Sequence, residues 1–99
     1  MLINYGAGGP TDIEGRIVAR HLPKHIPGNP TIIVKNMGGG GGMIASNFLG
    51  EVAKNDGMTF GFFTWNVLAG MIGDAGLRVG YDKFRFIAGI ANPVVLYAR

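Results

Sequence analysis

The 99-residue chain contains no cysteine, which excludes disulfide bonds, thiolate zinc sites and cysteine nucleophiles. Charged residues are scarce at 15%, against about 25% in an average protein. Nine basic and six acidic residues give a net charge of +3, but the basic ones are dispersed and form no stripe for nucleic acid. Since 47% of the residues are apolar, a disordered chain is disfavoured, and the length allows one domain or part of one.

Targeting and membrane segments are also not evident. The first residues lack the basic region that opens a signal peptide. The longest stretch without a charged residue, residues 57–73, has 17 residues and touches the lower limit for a membrane-spanning helix. Four glycines and three polar residues interrupt it, so a buried strand followed by a helix is the better interpretation.

Glycine, by contrast, is abundant, with 18 residues where an average protein of this length has about seven. The glycines follow no Gly-x-y period, which excludes a collagen helix. Many of them lie in two segments, residues 6–11 and 37–42, and the second contains five consecutive glycines. Each segment follows an apolar run and precedes a helical pattern, as expected of a loop between a strand and a helix.

The hydrophobic pattern predicts a strand, a loop and a helix three times in succession, and then two strands. The predicted strands are residues 2–5, 31–34, 58–63, 85–90 and 94–97, and the predicted helices are residues 11–26 (interrupted at Pro23), 43–53 and 67–77. Strands that alternate with helices indicate an α/β fold with a mostly parallel sheet and flanking helices. We expect strands 31–34 and 58–63 to be neighbours, buried on both faces, with Ile17 and Leu22 packed against the sheet.

Three loops, residues 6–11, 37–42 and 64–66, each follow a predicted strand and precede a predicted helix. In an open parallel sheet such loops share the carboxyl edge, where ligands bind. Glycines allow backbone amides to approach a ligand, and a helix N-terminus favours an anion. The predicted binding residues are Gly8, Gly9, Pro10, Thr11, Asp12, Gly41, Gly42, Thr64, Trp65 and Asn66. The alternative is that the glycines only form tight turns, and Trp65 fits either a ligand-stacking or a core position.

Nucleotide binding is a weaker interpretation of the same glycines. Gly40-x-Gly42-x-x-Ala45 matches the dinucleotide fingerprint, but five glycines in a row match many patterns. The fingerprint also requires an acidic residue at the end of the next strand, and the predicted strand 58–63 ends without one. A phosphate-binding Walker loop is excluded because no lysine follows the glycines.

Catalytic side chains are few. His21 and His25 are spaced to share a helix face, but no third zinc ligand lies near them in the sequence. Ser46 is the only serine and lies within a helical pattern, unlike a catalytic nucleophile at a strand-to-helix turn. The sequence therefore predicts a binding protein, with no enzymatic activity, metal or cofactor.

Several segments together resemble one protein family. Residues 5–12 (Tyr-Gly-Ala-Gly-Gly-Pro-Thr-Asp), followed by Arg16, are similar to the Tyr-Pro-x-Gly-Gly-x-x-Asp opening of the tripartite tricarboxylate transporter receptors, the Bug family. Residues 34–42 resemble their Val-Glu-Asn-Arg-Pro-Gly-Ala-Gly-Gly segment, residues 55–59 their Pro-Asp-Gly-Tyr-Thr, and residues 81–82 a later Tyr-Asp. The chain departs from the family at Gly6, which replaces a proline, at residues 37–38, which replace Arg-Pro, and at Ala45, which replaces a glycine.

The resemblance implies a periplasmic, two-lobed receptor with the type II periplasmic-binding-protein fold. Such a receptor captures a small organic carboxylate and delivers it to membrane transporter subunits, without chemistry. It implies that Gly8, Gly9, Pro10 and Thr11 help bind the carboxylate and that Asp12 orients the loop. Residues 1–99 would be one domain or the first part of the first lobe.

The sequence is also compatible with two other classes of protein: a nucleotide- or phosphate-binding enzyme domain, and a structural fragment that binds nothing alone. Edge strands without partners also predict that the chain associates with copies of itself.

Overall fold

A parallel sheet of three short strands organises residues 1–91, the part of the chain that this computed structural model describes. The strands are β1 (Leu2–Ile3), β2 (Lys35–Asn36) and β3 (Gly61–Phe62), in the order β2-β1-β3. Leu2 lies opposite both Lys35 and Gly61, so the three strands are in register along one line. The chain is therefore a small α/β protein with a parallel sheet and flanking helices, as predicted.

Each strand is followed by a helix. The helices are α1 (Pro10–His21), α2 (Met43–Glu51) and α3 (Val67–Ile72). Pro10 occupies the first turn of α1, where its missing amide hydrogen costs no hydrogen bond, and Arg20 and His21 lie in the last turn, where positive charge is favourable. Beyond His21 the chain tightens into a 3₁₀ turn, Leu22–His25, so the predicted interruption at Pro23 is confirmed.

The core lies around β1, the central strand. Residues Met1, Leu2, Ile3 and Asn4 are all buried, because a strand hydrogen-bonded on both sides is also covered by helices on its faces. Small residues allow the helices close access: a Cβ on Gly15 of α1 would lie 2.7 Å from Cδ1 of Ile3. On α2, Ala45 and Ser46 are fully buried.

The predicted position of the second strand is wrong. Residues 31–34 lie outside the sheet, and β2 follows them and pairs with β1, so it is not a neighbour of β3. A strand forms where a partner backbone is available for hydrogen bonding. The hydrogen bonds between β2 and β1 begin at Lys35, whose amide donates to the Met1 carbonyl at 2.9 Å. The Ile33 carbonyl accepts a hydrogen bond from the Met1 nitrogen at 2.7 Å, and the Ile33 side chain is 78% exposed.

Two further expectations about packing also differ from the structure. Ile17 is 56% exposed and Leu22 only half-buried, because the face of α1 that packs on the sheet carries Asp12 and Gly15. Residues 85–90 form no strand, since no partner strand lies beside them within residues 1–91. The predicted strand 94–97 lies outside the described residues.

Residues 57–73 form a strand followed by a helix, β3 and α3, as predicted. The expected burial of this strand is wrong, because Gly61 is exposed, Phe62 is half-buried and Met58, which precedes the strand, is exposed. Among the residues described, no helix combines the length and apolar character that crossing a membrane requires.

Candidate functional site

Three loops follow the three strands: residues 6–11 form the first loop, residues 37–42 the second and residues 64–66 the third. They meet at the carboxyl edge of the sheet. The Thr11 and Thr64 hydroxyl oxygens lie 2.8 Å apart, which joins the first loop to the third. Asn66 donates from Nδ2 to the Gly41 carbonyl at 3.3 Å, which joins the third loop to the second. The predicted convergence of residues from the three loops is therefore present in the structure.

The N-terminus of α1 is open. Gly9 precedes the helix in an extended conformation, and no side chain caps the helix there. The first helical hydrogen bond runs from the Ile13 amide to the Gly9 carbonyl at 3.0 Å. Within residues 1–91, the amides of Thr11 and Asp12 in this first turn have no hydrogen-bond partner. Thr11 is partly exposed, so its amide is a donor that a ligand at the first loop can use, whereas Asp12 is buried.

Asp12 is buried behind the first loop, with only 3% of its surface exposed. Its carboxylate accepts hydrogen bonds from Arg16 Nε at 3.0 and 3.1 Å, from the Gly8 amide at 2.8 Å and from Asn36 Nδ2 at 2.8 Å. These bonds, chiefly the one from Arg16, lower the pKa of Asp12 to about 2. With its charge paired and its oxygens occupied, Asp12 orients the loop and is not positioned to contact a ligand.

Asn36 lies at the end of β2 and was missed by the sequence analysis. Its Nδ2 donates both to Asp12 and to the Tyr5 carbonyl, at 3.0 Å, and its Oδ1 accepts from Arg16 at 3.1 Å. The second loop is thereby tied to the first. No local pattern marks this role, because an asparagine after a strand is ordinarily a turn residue.

Asn4, at the end of β1, was also missed. It is 1% exposed, and its carboxamide pairs with the Thr64 backbone: Nδ2 donates to the Thr64 carbonyl at 2.8 Å and Oδ1 accepts from the Thr64 amide at 3.0 Å. Asn4 thus joins the end of β1 to the third loop, Asn36 joins the end of β2 to the residues around the first loop, and Asn66 joins the third loop to the second. We refer to these residues as the asparagine ring.

The glycines of the second loop are required by the backbone. Gly39, Gly40, Gly41 and Gly42 all have positive φ, a region that other residues rarely adopt. A Cβ on Gly41 would lie 2.9 Å from Asn66 Nδ2, and one on Gly42 would overlap the Asn4 carboxamide. Gly42 is buried, so among the predicted residues it supports the site and does not line its surface.

An open hollow of about 380 Å³, which we call the first hollow, lies over the first and third loops. It is lined by Tyr5, Gly6, Ala7, Gly9, Pro10, Thr11 and Thr64. Four of these residues were predicted, namely Gly9, Pro10, Thr11 and Thr64. None of the described residues that line the hollow is charged, so its polar groups belong to the hydroxyl-bearing residues Tyr5, Thr11 and Thr64 and to the backbone.

The other predicted residues lie around the hollow or apart from it. Asn66 caps α3, since its Oδ1 accepts from the Ala69 amide at 3.1 Å. Trp65 is 53% exposed and lies against Tyr81, with ring centroids 4.7 Å apart, in a second hollow of about 540 Å³. Trp65 is therefore neither a core residue nor part of the first hollow.

Of the side chains considered for catalysis, Ser46 is enclosed within the fold. Ser46 is buried and donates to the Gly42 carbonyl at 3.2 Å, so its hydroxyl is inaccessible to a substrate. In the described part of the chain, no group of three His, Cys, Asp or Glu side chains is placed to hold a metal ion.

Comparison with known proteins identifies no relative: no protein-family model, no curated protein and no solved structure matches the chain.

Proposed function

We propose that the chain binds a small organic carboxylate at the first hollow, as part of the first lobe of a two-lobed receptor of the tripartite tricarboxylate transporter type. The observation that carries this proposal is the open N-terminus of α1 beside two paired threonine hydroxyls, at the carboxyl edge of a parallel sheet. In this proposal the lobe has the type II periplasmic-binding fold and acts in the periplasm.

The chemistry of the hollow suits a carboxylate. A carboxylate only accepts hydrogen bonds, and the Thr11 amide is a donor. One of the Thr11 and Thr64 hydroxyls donates to the other, so the hydroxyl of the acceptor is a second donor that the ligand can use. The N-terminus of a helix carries roughly half a positive charge, which favours the anion. The Asp12 carboxylate, which lies behind the first loop, is paired with Arg16, so its repulsion of the ligand is reduced.

A receptor function also accounts for the openness of the hollow. In two-lobed receptors a second lobe closes over a ligand held at the first, so one lobe alone presents an open surface. Delivery to membrane transporter subunits follows from the same proposal and requires no catalytic group.

Ligand-dependent stabilisation tests the proposal. Unfolding of the 99-residue chain is followed with succinate, citrate and benzoate, and with ATP, NAD and inorganic phosphate as competing classes. A bound carboxylate at a hundredfold excess over Kd raises the free energy of unfolding by about 2.7 kcal/mol. Stabilisation by ATP or NAD alone would instead favour the nucleotide-binding alternative, and no stabilisation by any carboxylate would reject the proposed function.

Gly9→Val is the variant that probes backbone approach. Gly9 has a negative φ, and a Cβ there meets nothing closer than the Gly6 carbonyl at 3.8 Å, so folding tolerates the change. The branched side chain would cover the start of α1, and we expect carboxylate affinity to fall about tenfold or more. Gly41→Val is less informative, because positive φ and the contact with Asn66 would also disturb the fold. Thr31→Val, at an exposed residue outside the sheet, is the matched control.

A further inference from the structure

Asn4 continues the pairing of β1 and β3 beyond the point where the strands end. The last paired residues are Ile3 and Phe62, and the Asn4 carboxamide then forms two hydrogen bonds with the Thr64 backbone. One carboxamide supplies one donor and one acceptor, which is what a backbone peptide group would supply. The third loop is thereby held to the central strand through a side chain.

This pairing affects the first hollow through Thr64, although Asn4 itself is not one of the residues that line the hollow. Because its backbone is held on both sides, Thr64 presents its hydroxyl to that of Thr11 at 2.8 Å. Gly42 packs behind the Asn4 carboxamide so closely that a Cβ would overlap it, which limits the rotation of the amide. We propose that Asn4 is a positioning residue of the candidate site, which acts on ligand affinity through the Thr64 hydroxyl; this inference depends on the proposed carboxylate function.

A structural role and a positioning role make different predictions. If Asn4 only stabilised the fold, replacing it would lower stability and leave the affinity of the folded fraction unchanged. If it positions Thr64, its replacement weakens binding only as long as the Thr64 hydroxyl is present. The two roles are therefore separated by a double-mutant cycle measured in ligand affinity.

The cycle uses Asn4→Leu, which preserves the side-chain shape, and Thr64→Val, which removes only the hydroxyl. Affinity for succinate is measured by calorimetry on the folded fraction. We expect each single variant to bind about tenfold more weakly, the equivalent of one lost hydrogen bond, and the double variant to bind no more weakly than either single variant. Losses that multiply to about a hundredfold would overturn the proposal. Thr64→Ser, which keeps the hydroxyl, should retain affinity, and Thr31→Val should have no effect.

A ligand-free measurement accompanies the cycle, because Asn4 is buried and Asn4→Leu could fail to fold. Asn4→Ser, which is smaller and remains polar, is the second variant. In nuclear magnetic resonance spectra of the unmodified chain, the side-chain protons of Thr11 and Thr64 should show a mutual Overhauser contact, because the two hydroxyl oxygens lie 2.8 Å apart. Loss of that contact in a folded Asn4 variant supports the positioning role, and its retention overturns it. If the unmodified chain binds no succinate but the contact is lost on substitution, the proposed function fails and the control of Thr64 by Asn4 stands.

Discussion

At the level of single residues, three asparagine side chains hold the segments of the candidate site together by hydrogen bonds. Asn4, Asn36 and Asn66 are spread over more than 60 positions of the chain, yet each joins two separate segments at the same sheet edge. A carboxamide suits this role because it donates and accepts at once and carries no charge that burial would penalise. The sequence does not show the asparagine ring, since the bonds of Asn4 join residues 60 positions apart and depend on the sheet order.

The buried carboxylate of Asp12 makes the free energy of unfolding depend on pH. Its pKa of about 2 in the folded chain lies below the value of about 3.9 expected in the unfolded chain. Its ionised form therefore contributes stability above about pH 4, and that contribution is lost as the pH falls from about 4 to 2. Asp12→Asn should unfold more easily than the parent at pH 7, with a difference that shrinks toward pH 2, as measured by urea titration. A difference that is equal at pH 7 and pH 2.5 would contradict this assignment.

Gly42 provides a residue-scale test of the packing behind the site. Gly42→Ala combines a positive φ with an overlap on Asn4, whereas Gly57→Ala combines a similar positive φ with open space. We expect the strain of the left-handed backbone to cost about 1 kcal/mol in both variants. Overpacking should add about 1–3 kcal/mol in Gly42→Ala alone. Chemical unfolding of the two variants measures the difference, and equal losses would show that the Asn4 contact relaxes freely.

At the level of secondary-structure elements, the sequence predicted whether a segment forms a helix or a strand better than it predicted which strands pair. The repeated strand, loop and helix follow from local periodicity, so the three helices and the convergence of the loops were predictable. The position of β2 was not, because residues 31–34 have the stronger β-branched pattern while the ladder with β1 falls at Lys35–Asn36. Similarly, residues 85–90 have the composition of a strand but no partner within residues 1–91. Strand formation is thus decided by tertiary contacts that a local pattern does not contain.

The short helix α3 depends on its cap. It has six residues, of which only Ala69 is buried, so packing contributes little to it. Asn66→Ala removes both the cap and the bond to Gly41, and we expect a loss of about 1 kcal/mol. Asn66→Asp preserves a capping carboxylate oxygen and removes only the donor. Hydrogen exchange should show faster exchange of the α3 amides in Asn66→Ala than in Asn66→Asp, with β1 unaffected; equally fast exchange in both would assign the effect to the loop contact.

At the scale of the whole molecule, large apolar side chains remain on the surface. Phe86 and Ile87 are exposed on the segment after a 3₁₀ turn at Tyr81–Lys83, and Met71 and Ile72 are exposed on α3. Within residues 1–91 the outer edges of β2 and β3 also have no strand beside them. Unpaired edges and contiguous apolar surface both favour association.

We therefore expect the 99-residue chain to form a homodimer or a larger species at micromolar concentration. Sedimentation equilibrium measures this directly, against a monomer mass of 10.5 kDa. Replacing Phe86 and Ile87 together by lysine adds charge to the apolar segment, and should shift the equilibrium toward monomer without lowering stability, because both side chains are exposed. Thr31→Lys adds charge at another exposed residue and should leave the association unchanged. A cooperatively folded monomer of the unmodified chain would instead mean that the exposed apolar residues need no partner, and the chain would then be a self-sufficient domain.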